Sequence, residues 1–261
     1  MSGPAAGPPR GGADPRDPAA PGPHAVADSI LLTERLRSED RRSFHLLGRT
    51  WELLPEVFSP ALSSGTEFYT RRLPFPRGGR FLEIGCGAGV TSVVAALSGC
   101  AAVTAVDIGP PAVANTARNA RRHGATALRA LVSDVFAAVP DRGYDVVFWN
   151  IPYVGMPEGY EHPSDLTRSV FDVGHRCCRA YLAGARSVLA PGGRLFLGFG
   201  DIGDRAAMEA IAAGHGWRAE LLAAGRSDPD PHIEHRLFEL HDIRPPGGGP
   251  GSSPGPAPAG P

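Results

Sequence analysis

The sequence contains no lysine, and all 26 of its basic residues are arginines. They are balanced by 27 acidic residues, and the net charge of −1 provides no overall attraction to nucleic acid or to anionic membranes. The four cysteines show neither C-x-x-C spacing nor a disulfide framework, which favours a reducing compartment. No apolar run reaches the roughly 18 residues that a membrane-spanning helix needs. We therefore expect a soluble, cytoplasmic protein that does not contact membranes.

Glycine and proline are concentrated at the two ends of the chain, where too few apolar residues remain to build a core. In the next segment, apolar residues among charges predict a helix from Ser29 to Leu47, and Thr66 is expected to cap a second helix from Phe68 to Leu73. The predicted divisions are a disordered tail over 1–25, an N-terminal helical and lid segment over 26–78, a ligand-binding domain over 79–243 and a disordered tail over 244–261.

From residue 80 onward, short apolar runs alternate with helical patterns. This alternation predicts an α/β fold, a doubly wound and mostly parallel seven-stranded sheet of the Rossmann-like kind. In such sheets, ligands bind beyond the carboxyl ends of the strands. The predicted strands lie near 80–84, 102–107, 127–132, 144–149, 193–199, 217–223 and 234–240, the last one antiparallel near the sheet edge. The predicted helices lie near 89–98, 111–123, 166–189 and 203–215.

A glycine turn follows the first of these strands, in Arg80-Phe-Leu-Glu-Ile-Gly-Cys-Gly-Ala-Gly-Val90. Its glycines allow positive φ, and the free N–H groups of the following helix face the same point. The spacing differs from the G-x-G-x-x-G of dinucleotide sites. Glu83 would repel a pyrophosphate but would attract a ligand that carries an ammonium and a sulfonium. Asp107 ends the next strand, where a carboxylate can accept the hydroxyls of a ribose.

The stretch Tyr144-Asp-Val-Val-Phe-Trp-Asn-Ile-Pro-Tyr153 places an amide at the carboxyl edge of the same sheet. Pro152 restricts Ile151 to an extended conformation, which would aim the Ile151 carbonyl into the cleft. The Asn150 amide oxygen and this carbonyl together can accept both hydrogens of one planar NH2 group. Tyr153 can lie on the face of that group. The stretch therefore predicts a site for a flat nitrogen.

Together these motifs resemble the Asn-Pro-Pro-Tyr branch of class I S-adenosylmethionine (AdoMet) methyltransferases, especially the methyltransferase small domain group. That group includes release-factor glutamine N5-methyltransferases and ribosomal RNA guanine N2-methyltransferases. The likeness covers roughly residues 55–240, including Thr66-Glu67 and Ser133-Asp134, and implies an AdoMet-binding methyltransferase domain over 79–243. The implied catalytic residues are Asn150, Ile151, Pro152 and Tyr153. The implied cofactor-binding residues are Glu83, Gly85, Cys86, Gly87, Gly89, Asp107, Ile108, Asp134, Val135 and Asn150.

The resemblance leaves the methyl acceptor open. Ile151 stands where the glutamine methyltransferases have their first proline, and Asn-Ile-Pro-Tyr is closer to the rRNA adenine N6-dimethyltransferases. The acceptor is accordingly a planar NH2 group of a protein glutamine, a nucleobase or a small metabolite, and no dedicated nucleic-acid-binding domain is visible. The competing interpretations are a nicotinamide-dependent oxidoreductase and a catalytically silent AdoMet-binding module. His175 and Cys178 share a helical face, but two ligands do not make a metal site, so no metal is expected.

Four residues in the loop beyond Tyr153 also qualify as substrate contacts, because loops at this edge of an α/β sheet usually line the site. They are Glu158, Tyr160, His162 and Asp165.

Overall fold

A hairpin begins the part of the chain that the computed structural model describes, residues 42–244. Strand β1 (Ser43–Leu46) pairs antiparallel with strand β2 (Arg49–Glu52) around Leu47 and Gly48, which both have positive φ. The prediction of a helix up to Leu47 is wrong for this portion, because pairing with β2 buries Phe44 and Trp51 together in the core. The rest of that predicted helix and the predicted disordered tails lie outside the described residues, apart from residue 244.

Helix α1 (Gly65–Thr70) follows a 3-10 turn at residues 60–62 and begins earlier than the sequence predicts. Thr66 lies inside the helix, and Ser64 occupies the N-cap position without a capping bond from its own side chain. The carboxylate of Asp230 instead accepts the Ser64 N–H at 2.8 Å. A distant residue thus supplies the cap that local sequence reasoning assigned to Thr66.

The remaining elements follow in chain order. They are β3 (Arg80–Ile84), α2 (Val90–Leu97), β4 (Ala102–Asp107), α3 (Pro110–His123), β5 (Leu128–Val132), β6 (Tyr144–Asn150), β7 (Val154–Met156), β8 (Phe171–Val173), α4 (Arg176–Gly184), β9 (Leu189–Gly200), α5 (Arg205–Gly214), β10 (Trp217–Gly225) and β11 (His235–Asp242).

Seven of the strands within residues 42–244 form one sheet in the order β10-β11-β9-β6-β3-β4-β5. The strands from β9 to β5 in this order are parallel, and β11 runs antiparallel between β9 and β10. This is the doubly wound, mostly parallel sheet that the sequence predicts. Because the five parallel strands end at one edge, the loops after them meet there, and this edge carries the candidate site.

Helices cover both faces of the sheet. Helices α4 and α5 pack on the face that presents Leu82, Val147 and Leu197. Helices α1 and α2 pack on the opposite face, which presents Phe148 and Phe196. Alternate residues along each strand therefore enter different cores, as the pleat of a strand requires.

The prediction of one helix over 166–189 is wrong over much of its length. The structure has instead a 3-10 turn at 165–169, strand β8, helix α4 and a second 3-10 turn at 185–187. His175 has positive φ and ends the strand segment, and the Asp172 carboxylate then caps α4 by accepting the N–H groups of Cys177 and Cys178. Strand β8 pairs with β7, a contact that helical periodicity does not reveal.

The helices in residues 42–244 are each too short or too polar to cross a lipid bilayer.

Arg186 fastens the β10-β11 edge to the end of α4. Its guanidinium donates to both carboxylate oxygens of Asp242, at 2.6 and 3.0 Å, and to the carbonyls of His215 and Gly216. It also stacks 4.0 Å from the ring centroid of Trp217. A planar fork with this many acceptors has no equivalent in lysine.

We expect Arg186→Lys to lower the free energy of unfolding by about 1–3 kcal/mol, because lysine cannot reproduce the forked bonds to Asp242 and to the two carbonyls. Urea denaturation measures the change. Arg218→Lys is the control, since Arg218 pairs with Glu220 at an exposed site and the change there should stay below about 0.5 kcal/mol. Equal losses in the two variants would contradict this account.

Candidate active site

The turn after β3 forms a cradle at the carboxyl edge of the sheet. Gly85 and Gly87 both have positive φ, 64° and 53°, but for different reasons. A Cβ on Gly85 would collide with the Trp149 indole, whereas a Cβ on Gly87 would meet no atom within 4 Å. Gly89 stands at the N-cap of α2 with φ of 82°. Gly87 therefore borders open space above the turn, where a ligand has room.

Thr116 of α3 supports this turn from below. Its hydroxyl donates to the Gly87 carbonyl at 3.0 Å and lies 3.2 Å from the sulfur of Cys86. Cys86 is buried, and burial raises the pKa of its thiol well above the usual value. The predicted cofactor residue Cys86 thus lies inside the turn as a neutral packing group. The role of Thr116 was missed, because a threonine within a helix carries no distinctive sequence signal.

Asp107 joins the turn to the end of β4. One carboxylate oxygen accepts the Gly87 N–H at 3.0 Å, and the other accepts the Gly109 N–H at 2.9 Å. Burial raises the pKa of Asp107, although these N–H bonds oppose the rise. The neighbouring Ile108 is 52% exposed and offers an apolar surface beside Asp107. Contacts of both residues with a cofactor remain predictions.

The end of β5 completes this side of the site. The Ser133 N–H donates to the Asp107 carbonyl at 2.9 Å, and the Ser133 hydroxyl donates to the Val135 carbonyl at 3.0 Å. Val135 is buried with a positive φ of 46°, while Asp134 is exposed at the tip. Of the predicted pair, Asp134 is therefore the residue whose side chain is accessible.

Glu83 lies behind the turn, on the α2 side. Its side chain is 5% exposed and accepts a short hydrogen bond from the Ser92 hydroxyl. Burial raises the pKa of Glu83 to about 8, so the carboxyl is largely protonated at neutral pH in the absence of a ligand. A contact between Glu83 and the ammonium of a ligand remains a prediction.

Asn150 is exposed at the end of β6, beside Gly198 of β9. Its amide oxygen lies 3.1 Å from the point that a Gly198 Cβ would occupy. The next residue, Ile151, donates its N–H to the Gly198 carbonyl at 3.3 Å and buries its side chain in the core. Pro152 is buried as well. Of these three residues, only Asn150 presents its side chain to the edge of the sheet, and a role for the Ile151 carbonyl remains a prediction.

Tyr153 covers the end of the neighbouring strand. Its ring atoms lie 2.7 Å from the point that a Gly200 Cβ would occupy, and its ring centroid is 5.7 Å from that of Phe199. Burial, reinforced by the charges of Asp230 and Asp201, raises the pKa of the phenol. Tyr153 is therefore neutral over the physiological range. The edge brings Asn150 and Tyr153 to adjacent strand ends.

The segment between β6 and α4 forms a wall beside these residues. Val154, Val170 and Phe171 form an apolar cluster against which Phe58 and Leu62 of the N-terminal segment pack. Of the predicted loop contacts, Tyr160 packs on Phe171, His162 contacts Thr167, Asp165 pairs with Arg168, and Glu158 is exposed. Their role toward a substrate remains a prediction.

Within residues 42–244 we find no group of three or more His, Cys, Asp and Glu side chains arranged to hold a metal ion.

Comparison with known proteins assigns the family. The family described as methyltransferase small domain matches residues 50–201, more than half of the chain. The chain belongs to this family. The predicted family is thereby confirmed.

Curated relatives include two glutamine methyltransferases. The release factor glutamine methyltransferase of Cereibacter sphaeroides is 35% identical over 150 residues, which cover 54% of each chain. The ribosomal protein uL3 glutamine methyltransferase of Bordetella pertussis is 33% identical over 129 residues, which cover 46% of this chain and 43% of the relative. The chain thus spans about half the length of these relatives.

Solved structures share the fold at low sequence identity. A methyltransferase from Pyrococcus furiosus aligns with a TM-score of 0.55 at 18% identity, over 82% of this chain and 97% of that one. A 16S rRNA N2 methyltransferase of T. thermophilus, solved with AdoMet and guanosine, aligns with a TM-score of 0.54 at 23% identity, over 77% of this chain and 50% of that one.

AdoMet is the cofactor expected for this family, and the geometry of the edge is suited to it. Gly87 borders open space, the Asp107 carboxylate stands at a strand end, and Ile108 offers an exposed apolar surface beside it. A nucleoside requires a ribose acceptor and an apolar face in this arrangement.

We expect Glu83→Gln to stabilise the ligand-free protein as the pH rises. The folded-state pKa is raised from 4.5 to about 8, so the folded protein binds a proton that the unfolded chain has lost between these values, and wild-type stability falls across this window. Glutamine does not titrate. The free energy of unfolding of Glu83→Gln, relative to that of the wild type, should therefore increase by about 3–5 kcal/mol from pH 5 to pH 8 and then level off.

Urea denaturation at a series of pH values measures this difference. The exposed variant Glu209→Gln serves as the control. A difference between Glu83→Gln and wild type that stays constant from pH 5 to pH 9 would show that the carboxyl is ionised throughout.

Proposed function

We propose that this chain is an AdoMet-dependent N-methyltransferase that acts on a planar amide nitrogen, with a glutamine side chain of a protein as the favoured acceptor. The observation that carries the proposal is the exposed Asn150 at the end of β6, which lies next in the sheet to the strand that leads into the Gly87 cradle. A cradle for the methyl donor and an amide for the acceptor thus share one edge of the sheet.

The donor would be held by the residues around the turn. The Gly87 backbone and the N-terminal amides of α2 would face the carboxylate of the donor. Asp107 would accept its ribose hydroxyls, and Ile108 would pack on its base. Asp134 and Val135, at the end of β5, would bound the base on its other side. When bound, AdoMet supplies an electrophilic methyl group attached to a sulfonium.

The acceptor nitrogen would be oriented by Asn150. The lone pair of an amide nitrogen is delocalised, and fixed acceptors for its two hydrogens favour a pyramidal, more nucleophilic geometry. The Asn150 amide oxygen would be one acceptor and the Ile151 carbonyl the second, with Tyr153 as a neutral ring beside them. Placement of this kind can supply ~7–11 kcal/mol of a barrier. Asn150 is not a base at neutral pH, so its contribution is orientation and electrostatics.

The charge of the surrounding loops favours an acceptor without phosphates. The arginines in the loops after β7 and β10, Arg168 and Arg226, are each paired with an aspartate. A protein that binds RNA gains much of its affinity from cations that neutralise phosphates. The exposed acidic residues of the loops after β5, β7 and β10 are Asp134, Glu158, Glu161, Asp165 and Asp228.

The relatives support the same acceptor class, since two of them are glutamine methyltransferases. The family match argues against the nicotinamide-dependent alternative. A catalytically silent module would bind the donor in the same way, and only a transfer experiment separates it from an enzyme.

Gly87→Arg and Asp107→Ala should each weaken the binding of S-adenosylhomocysteine. Arginine would fill the open space above the turn, and alanine removes a carboxylate whose hydrogen bonds contribute about 1.5–3 kcal/mol each, or roughly ten- to a hundredfold in affinity. Calorimetry measures the loss. Asp145→Ala is the matched control, because Asp145 accepts the Arg80 N–H at the opposite end of β3. Unchanged binding in both site variants would refute this cofactor site.

Asn150→Ala should retain S-adenosylhomocysteine binding but abolish methyl transfer, because the side chain is exposed and supports no other element. The assay supplies radiolabelled AdoMet to a cell lysate that is afterwards separated into protein, RNA and small-molecule fractions. Label in the protein fraction is the expected result for the wild type. Label in RNA or in small molecules would contradict the proposed acceptor, and full transfer by the variant would contradict the role of Asn150.

A further inference from the structure

We propose that Tyr69 of α1 is a positioning residue that fixes the orientation of the Asn150 amide, and that Asp230 and His235 hold Tyr69 in place. The inference rests on the proposed role of Asn150. It concerns a residue of the N-terminal segment that neither the sequence motifs nor the family match singles out.

Tyr69 and Asn150 share one small gap in the sheet. Two atoms of the Tyr69 ring, Cζ and Cε2, lie 2.9 and 3.0 Å from the point that a Gly198 Cβ would occupy, and the Asn150 Oδ1 lies 3.1 Å from the same point. Gly198 pairs with Asn150 between β9 and β6. The missing side chain of Gly198 therefore leaves room that the ring and the amide fill together, and the ring limits the rotamers open to Asn150.

The ring itself is fixed from several directions. Tyr69 is fully buried, and its hydroxyl donates to the Phe199 carbonyl at 3.0 Å, one residue beyond Gly198. Its ring centroid lies 5.8 Å from that of Phe148 and 5.7 Å from that of His235. A buried tyrosine with its hydroxyl bonded in this way has little rotational freedom.

His235 and Asp230 connect Tyr69 to the start of its own helix. His235 Nδ1 lies 3.4 Å from the Tyr69 hydroxyl, and His235 Nε2 lies 3.2 Å from a carboxylate oxygen of Asp230. Asp230 accepts the Ser64 N–H at 2.8 Å, the Ser64 hydroxyl at 2.5 Å and the Ser63 hydroxyl at 2.9 Å. Ser64, which precedes α1, and Tyr69, which lies within it, are thus both linked by hydrogen bonds to Asp230 in the loop between β10 and β11.

Burial of this hydrogen-bonded network costs free energy, and its hydrogen bonds have to offset that cost. Asp230 and His235 are 8% and 2% exposed, and a buried carboxylate is tolerated only with its hydrogen bonds complete. Burial acts to raise the pKa of Asp230, but the bonds from His235 and Ser64 outweigh it and hold the pKa below the usual range. The hydrogen-bonded network of Tyr69, His235 and Asp230 is therefore rigid at the point where α1 meets Asn150.

Tyr181 provides a matched control on the other face of the sheet. It is also fully buried, and its hydroxyl donates to the Phe196 carbonyl of the same strand, β9, at 2.7 Å. It packs against Trp149 and Phe136, in the core of α4 and α5. If Tyr69 had only a structural role, the same substitution at the two tyrosines would have the same consequences.

The test compares Tyr69→Leu with Tyr181→Leu in 15N-labelled protein. The side-chain NH2 resonances of Asn150, assigned from their absence in Asn150→Asp, report the orientation of the amide without any need for the acceptor. Tyr69→Leu should move these resonances, leave S-adenosylhomocysteine affinity within about twofold and lower the labelling of lysate protein by at least about tenfold, the effect of a misplaced reacting group. Tyr181→Leu should leave the Asn150 resonances and the labelling unchanged.

Asn150 resonances that are the same in Tyr69→Leu and in wild type would overturn the inference, and so would equal shifts in the two leucine variants. If either leucine variant fails to fold, Tyr69→Phe and Tyr181→Phe are compared by the same resonances, since each removes one buried hydroxyl bond to β9. An absence of transfer in the wild type would contradict the proposed function, and the resonances would still decide whether Tyr69 positions Asn150.

Discussion

The two hydrogen bonds that the Asp107 carboxylate accepts from Gly87 and Gly109 hold the edge of the sheet in its functional shape. The turn after β3 contains three glycines with positive φ, Gly85, Gly87 and Gly89. Asp107 ties this turn to β4, and its own carbonyl accepts the N–H of Ser133 after β5. Three strand ends thus form one connected surface. In the proposed function this carboxylate would have two tasks, because the oxygens that brace the turn would also accept the hydroxyls of a ribose.

The glycines of the edge serve two different purposes. Gly85 and Gly198 are small because a large aromatic side chain occupies the adjacent space, Trp149 in the first case and Tyr69 in the second. Gly87 is small where no protein atom approaches. The first kind of glycine lets the cores on the two faces of the sheet extend to the strand ends and support them. The second kind leaves room that the proposed cofactor site would use, so the spacing of this glycine motif would combine packing with recognition.

Short-range patterns predicted the parallel strands well, because β3, β4, β6 and the second half of β9 are buried apolar runs that need no partner to be recognised. They failed where a distant residue decides the local structure. The hairpin of β1 and β2 depends on burial of Trp51, β8 depends on pairing with β7, and the start of α1 depends on Asp230, which lies far along the chain. The positions of the candidate site residues follow the same division. The sequence places Asp107 and Asn150 at the ends of apolar strands, where the structure has them, and it names Ser133 through the family resemblance. Thr116 and Tyr69 contact other elements of the fold, and no spacing rule contains such contacts.

The ionisation of the edge also bears on how a planar nitrogen would lose its proton. Burial raises the pKa of Glu83 to about 8, Tyr153 is a neutral phenol, and Asp230 is already hydrogen-bonded to Ser63, Ser64 and His235, so none of these three acids is an available base at neutral pH. An amide nitrogen gains acidity once it carries a methyl group and a positive charge, since its lone pair is no longer shared with the carbonyl. In the proposed reaction its proton would pass to water or to one of the acidic side chains near the edge. Such a site would have to fix position and polarity, and the proposed supports around Asn150 would serve that purpose.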